Sequence, residues 1–168
     1  MFDDVTQAKI AAVHPKIAVI AAPVDVRSKA KPFFRVWSGR DHFYTMDVDE
    51  RDRCIKQYGW SDEGIACLIL PTQTDSSEPL FRTWNTANGD HFYTTDIHER
   101  DNAINNLRFN IEGQAGFVFK TQVPESVPLY RLVGPNDHFY TVDASERDRA
   151  IQNFGYASEG TACFVFKP

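Results

Sequence analysis

The sequence predicts a mainly β protein with one short helix per repeat, closed into a pseudo-threefold, three-bladed propeller-like body, with a β-trefoil as the alternative. Three observations carry this expectation. The pentamer DHFYT stands at 41–45, 90–94 and 137–141, so the chain repeats itself at spacings of 49 and then 47 residues. Aromatic residues are abundant, with thirteen Phe, six Tyr and three Trp, which favours strands and leaves ring faces for a binding surface. Each copy also shows the same internal order of strand, turn, strand, helix and strand.

An N-terminal segment (1–31) precedes the repeats, which span 32–71, 79–120 and 128–168, all read as parts of one domain. Each repeat opens on a short alternating strand carrying Phe34, Phe81 or Tyr130, followed by Arg35, Arg82 or Arg131. The turn formers SGR, NTANG and GPN lead into HFYT, whose alternation puts His and Tyr on one side and Phe and Thr on the other. The two strands read as a β-hairpin.

A helix follows. Asp47, Asp96 and Asp143 stand three residues before Glu50, Glu99 and Glu146, the spacing of a capping box. Ile55, Ile104 and Ile151, then Tyr58, Leu107 and Phe154, mark its apolar face. Gly59 and Gly155 suit a C-terminal cap, where the middle copy has Arg108. Trp60, Phe109 or Tyr156 then leads through a Glu-Gly pair into the last, apolar strand. The stretch IAVIAAP (17–23) resembles IACLILP (65–71) and reads as an extra copy of that strand, able to complete a ring or cap an edge.

Composition excludes several classes. The net charge of −5 and the scattered basic residues argue against a nucleic-acid partner. Three cysteines without framework spacing argue against a disulfide-stapled secreted domain. Cys67 and Cys163 hold the same place in the first and third repeats, with Gly116 in the middle one, as small buried fillers would. Asp3 and Asp4, followed by only a short apolar stretch, match neither a signal peptide nor a membrane span. The expectation is therefore a cytoplasmic protein with no membrane insertion, any release following a non-classical route.

Every polar candidate for catalysis occurs three times, whereas a catalytic centre is single and asymmetric. No nucleophile elbow, His-Glu-x-x-His or phosphate-cradling glycine loop occurs, so no enzyme is expected. His42, His91 and His138 could converge as a three-histidine zinc site. The alternative, adopted here, is that each hydrogen-bonds within its own repeat while Asp41, Asp90 or Asp137 shapes the adjoining turn. Neither a metal nor a cofactor is expected.

The succession of aromatic-Arg, turn, DHFYT, ERD, aromatic, EG and apolar strand covers about residues 32–167. It resembles a tandem-repeat family of largely unknown function found in fungal proteins and in bacterial surface or secreted proteins, often appended there to cell-wall or polysaccharide hydrolases. That resemblance implies glycan binding or wall attachment, and a free-standing version resembles the defence or storage lectins of mushrooms.

A saccharide site needs an aromatic face for the sugar's apolar side and a few fixed polar groups for its hydroxyls. The candidates are Trp37 and Trp84, with Arg35, His42, Tyr44 and Glu63 in the first repeat. Arg82, His91, Tyr93 and Glu112 follow in the second, and Arg131, His138, Tyr140 and Glu159 in the third. For the Arg and Glu the rival role is a buried ion pair that braces each unit. Phe43, Phe92 and Phe139 read as core. Up to three equivalent weak pockets would act together on clustered glycans.

The rival function is a protein-binding module, such as a protease inhibitor, acting through TQTDSSE (72–78) or VPESV (123–127). A third reading places the function in residues 1–31 and leaves the repeats purely structural. The sugar, the number of competent pockets and the oligomeric state, homo-oligomer included, stay open at this level.

Overall fold

The computed structural model describes residues 25–168, so the strand expected at 17–23 lies outside the described residues. The described residues are mainly β with three α-helices. A turn of 3-10 helix, Val26–Lys29, precedes β1 (Lys31–Trp37), β2 (His42–Thr45), α1 (Val48–Tyr58) and β3 (Ser61–Ile69). The second repeat supplies β4 (Glu78–Asn85), β5 (His91–Thr94), α2 (Ile97–Asn106) and β6 (Phe109–Val118). The third supplies β7 (Ser126–Val133), β8 (His138–Thr141), α3 (Ala144–Phe154) and β9 (Ala157–Phe166).

In every repeat the opening strand lies in the middle, antiparallel to HFYT on one side and to the long last strand on the other. The hairpin register sets Trp37 opposite His42, Trp84 opposite His91 and Val133 opposite His138. The strands form a six-stranded sheet of order β2-β1-β3-β9-β7-β8 and a three-stranded sheet of order β5-β4-β6, neither closed into a barrel. The ends of the last strands meet: Leu70 bridges Phe117, Phe119 bridges Phe164, and Phe166 pairs with Leu68. These bridges run from the first repeat to the second, to the third and back to the first. Leu70, Phe119 and Phe166 pack together there, with Val26 and Ala30 laid against them.

Each helix starts on its aspartate. Asp47, Asp96 and Asp143 accept from the backbone N–H groups two and three residues on. The reciprocal arm of the expected capping box is absent, because the hydroxyls of Thr45, Thr94 and Thr141 accept from the cap N–H and donate to Glu50, Glu99 and Glu146. Gly59 and Gly155 end their helices at φ 71° and 73°, and Arg108 adopts φ 64° in the equivalent place without being glycine. The expected apolar face is corrected. The buried helix residues are Cys54, Ala103 and Ala150, which pack on Phe43, Phe92 and Phe139, while Tyr58, Leu107 and Phe154 are exposed at 61%, 53% and 69%. Of the expected face, Ile55 does pack against the first of these clusters, while the end residues stand outside them.

At the centre stand Tyr44, Tyr93 and Tyr140, all fully buried, with ring centroids 5.5 Å apart and rings near perpendicular. Each hydroxyl bonds the backbone of another. Tyr93 accepts from Tyr44 N–H and donates to Tyr44 C=O, Tyr44 does the same for Tyr140, and Tyr140 for Tyr93. Burial pushes the three phenols well above their usual range, so they remain proton donors. The surrounding core includes Phe33, Leu80 and Leu129 and the thiols of Cys67 and Cys163. Burial pushes Cys163 up to about 12, as suits packing and not reactivity. A Cβ on Gly116 would come within 2.7 Å of Ile69 Cδ1 and 2.9 Å of Met46 Cε, so neighbours fill the volume that a cysteine fills in the other two repeats.

Candidate functional site: the clefts between repeats

The pentamer's first two residues join neighbouring repeats. Asp41 Oδ1 accepts from His91 N–H, and its Oδ2 lies 2.6 Å from His91 Nδ1. Asp90 holds His138 in the same way, and Asp137 holds His42. The expectation that each histidine bonds within its own repeat is thus corrected: the bonds run between repeats and return from the third to the first. An ionised aspartate accepts from Nδ1–H, which leaves Nε2 facing Glu63, Glu112 or Glu159 at 3.5, 3.5 and 3.8 Å. Carboxylate oxygens of Asp41, Asp90 and Asp137 lie within 4.8 Å of one another, buried, and burial pushes the Asp41 carboxyl up against the pull of His91. Each of these acids is already engaged by two donors of one histidine, and among the described residues the converging set of possible ligands is these three aspartates, not the three histidines.

The strand arginines form a second tier. Arg82 donates through both terminal nitrogens to Glu50, and its Nε lies 3.0 Å from Glu112. Arg131 does the same with Glu99 and Glu159, and Arg35 with Glu146 and Glu63. The Nε contacts are close charge pairs without the alignment of a hydrogen bond. The expected brace between the strand Arg and the Glu of the Glu-Gly pair is present, and the helix-cap Glu of the preceding repeat completes it. Each guanidinium also lies about 5 Å above a ring of that repeat: Arg35 over Phe139, Arg82 over Phe43 and Arg131 over Phe92. The histidines face the same rings at 4.7–4.9 Å.

Clefts open along these seams. One of about 590 Å³ lies between the first and second repeats, with Phe43, Tyr58 and Trp60 on one wall and Trp84, His91 and Glu112 on the other. A second of about 480 Å³ lies between the third and first, with Phe139, Phe154 and Tyr156 facing Trp37, His42 and Glu63. Position for position these are the same site, of a size that suits a sugar unit. Trp37 lies 4.2 Å from the ring of His42, and Trp84 stacks on His91 at 6.1 Å. The indole of Trp84 is 36% exposed. Tyr156 adds a hydrogen bond to Asp137, which neither Trp60 nor Phe109 reproduces.

The residues singled out from sequence thus divide. His42, His91, Trp37, Trp84, Glu63, Glu112 and Arg35 line the two clefts, and Arg82 lies within the first seam as the partner of Glu50 and Glu112. Arg131, His138 and Glu159 make the same ties in the third seam. Tyr44, Tyr93 and Tyr140 belong to the buried centre, with their hydroxyls already used, and are corrected from pocket to core. Sequence reasoning missed Arg53 and Arg149, which line the clefts beside Tyr58 and Phe154. Aligning the three helices could have found them, since they hold the same position in the first and third copies, where the second has Asn102.

A family model described as Domain of unknown function (DUF5648) matches residues 15–70 and 32–166. No curated protein and no solved structure matches.

Proposed function

Because the chain belongs to the DUF5648 family, whose description assigns no activity, function has to be read from the clefts, and we propose that this is a non-enzymatic saccharide-binding protein. The observation that carries the proposal is the indole of Trp84, or of Trp37, set beside a fixed imidazole and carboxylate in a cleft of sugar size. A pyranose lays its C–H face on an aromatic ring and presents hydroxyls around its edge, so such a wall recognises it without moving parts. The polar groups are held before ligand arrives, which lowers the ordering cost of binding.

The histidines and carboxylates of the clefts are tied into the same ion pairs in each seam, an arrangement suited to holding the repeats and orienting hydroxyls and poorly suited to splitting an acid from a base. The cyclic bridges, tyrosine bonds and ion pairs support a three-bladed propeller-like closure. Equivalent clefts would bind clustered glycans more strongly than any one cleft does. Among the described residues no helix is long and apolar enough to cross a membrane. The two loops considered for protease inhibition are alike: Ser77 and Ser126 each bond the backbone three residues earlier, through Thr74 and Val123. An inhibitory loop would be singular.

A glycan array probed with the folded protein, beside a Trp37→Ala/Trp84→Ala variant, tests the proposal. Binding to a defined set of saccharides that the variant loses supports it. A blank array from folded protein sinks it.

A further inference from the structure

We propose that the ligand is a carboxylate-bearing saccharide, of the uronic or sialic acid type, and that two of the three seams take it, with Arg53 and Arg149 holding its carboxylate. This rests on the saccharide reading and narrows it.

The carboxylates inside the clefts already have partners, two of them on each strand arginine. Glu50 and Glu112 sit on Arg82, Asp41 on His91, Glu146 and Glu63 on Arg35, and Asp137 on His42. Arg53 and Arg149 differ. Both are exposed on the rim, and among the described residues neither has a carboxylate partner; Arg149 only donates to Ser145 Oγ at 3.2 Å. Each of the two clefts therefore holds a guanidinium without a carboxylate partner on the wall facing an indole, and Arg40 is a second such group in the first cleft.

Guanidinium and carboxylate fit as two planar forks with parallel hydrogen bonds. A hexuronic or nonulosonic acid carries a carboxylate at the edge of a ring whose face is partly C–H, so one residue can meet the arginine and the indole together. Glu63 and Glu112 make their contacts to Arg and His through Oε2, which leaves Oε1 to accept from a hydroxyl.

The three copies supply an internal comparison. Trp84 faces the helix that carries Arg53, and Trp37 faces the helix that carries Arg149. In the third seam Val133 stands for the indole and Asn102 for the arginine. The Asp–His and Arg–Glu ties are present in all three seams, so the fold does not require the indole–arginine pair. The two features are kept together or lost together, as two halves of one binding site would be.

Isothermal titration of the full chain tests this, using short oligosaccharides of glucuronic, galacturonic and N-acetylneuraminic acid, their methyl esters and their neutral parents. One acid is expected to bind at two per chain, with its methyl ester weaker by about tenfold or more, in line with the loss of a charge-assisted pair. Arg53→Ala/Arg149→Ala should bring the acid down to the level of its ester without moving the unfolding temperature. Equal affinity for the neutral parent, three sites per chain, or acid binding that survives the double substitution would overturn this proposal and leave the saccharide reading standing. Silence from all acids, esters and neutral sugars, with a blank array, would overturn both.

Discussion

The Tyr93 hydroxyl takes both backbone hydrogen bonds of Tyr44, accepting from its N–H at 2.9 Å and donating to its C=O at 2.8 Å. The donor and the acceptor lie 49 residues apart in equivalent places of successive repeats. Tyr93→Phe keeps the ring and strands a buried N–H and a buried carbonyl. The expected loss is about 2–6 kcal/mol, since each of the two unpaired groups costs about 1–3 kcal/mol. Urea unfolding would measure it, and Tyr44→Phe and Tyr140→Phe should give similar values.

The Glu50, Glu99 and Glu146 carboxyls set the response to acid. Burial pushes them up, but hydrogen bonds from Arg82, Arg131 and Arg35, and from the neighbouring threonines, outweigh it and hold all three below the ordinary 4.5. A carboxyl depressed in the folded state contributes stability that is complete above its unfolded value and is lost as pH falls through the folded one. The urea midpoint should therefore fall as pH drops from about 4.5 downwards. Glu50→Gln/Glu99→Gln/Glu146→Gln should be less stable at neutral pH and nearly flat across that range. A wild-type midpoint that stays level into acid would contradict the role given to these pairs.

Arg108 holds the left-handed conformation, φ 64°, that glycine holds at 59 and 155. An L-residue there is strained by about 1–2 kcal/mol, offset in part by the entropy glycine gains when unfolded. Arg108→Gly should raise stability by about 0.5–1 kcal/mol, visible as a higher melting temperature. A decrease would mean that the Arg108 side chain contributes more than its backbone costs.

Much of the fold is legible in the repeats. HFYT as a strand and Asp47, Asp96 and Asp143 as caps are short-range patterns, and the strands and helices stand where those patterns put them. Pairing between repeats is not legible in this way. Asp41 reaches a histidine 50 residues away, and no local periodicity marks such a partner. The tyrosines show why face alone misleads. His42 and Tyr44 share a side of β2, but two residues along a strand is a step of about 7 Å. That step separates the cleft, where His42 stands, from the buried centre, where Tyr44 stands. Tyr58 and Phe154 mislead in the opposite sense. They continue a helical apolar stripe, yet they overhang the clefts, the buried residue of each helix being a small one, Cys54 or Ala150.

The indoles supply the binding prediction. Trp84→Ala should remove the first cleft's platform and weaken its saccharide by about 1–3 kcal/mol, the range of a lost stacking or aromatic contact. Stability should change little, because that indole is partly exposed and takes no part in the ion pairs. Calorimetry of Trp37→Ala and Trp84→Ala singly should show one site lost each.

The most direct test of saccharide binding in the clefts is a nuclear magnetic resonance titration that follows the indole N–H signals of Trp37, Trp60 and Trp84 as an oligosaccharide is added. The clefts predict shifts at Trp37 and Trp84 that saturate together, while the backbone amides of Tyr44, Tyr93 and Tyr140 stay still. Shifts confined to the 72–78 or 123–127 loops, or unmoved indoles with every saccharide tried, would contradict it.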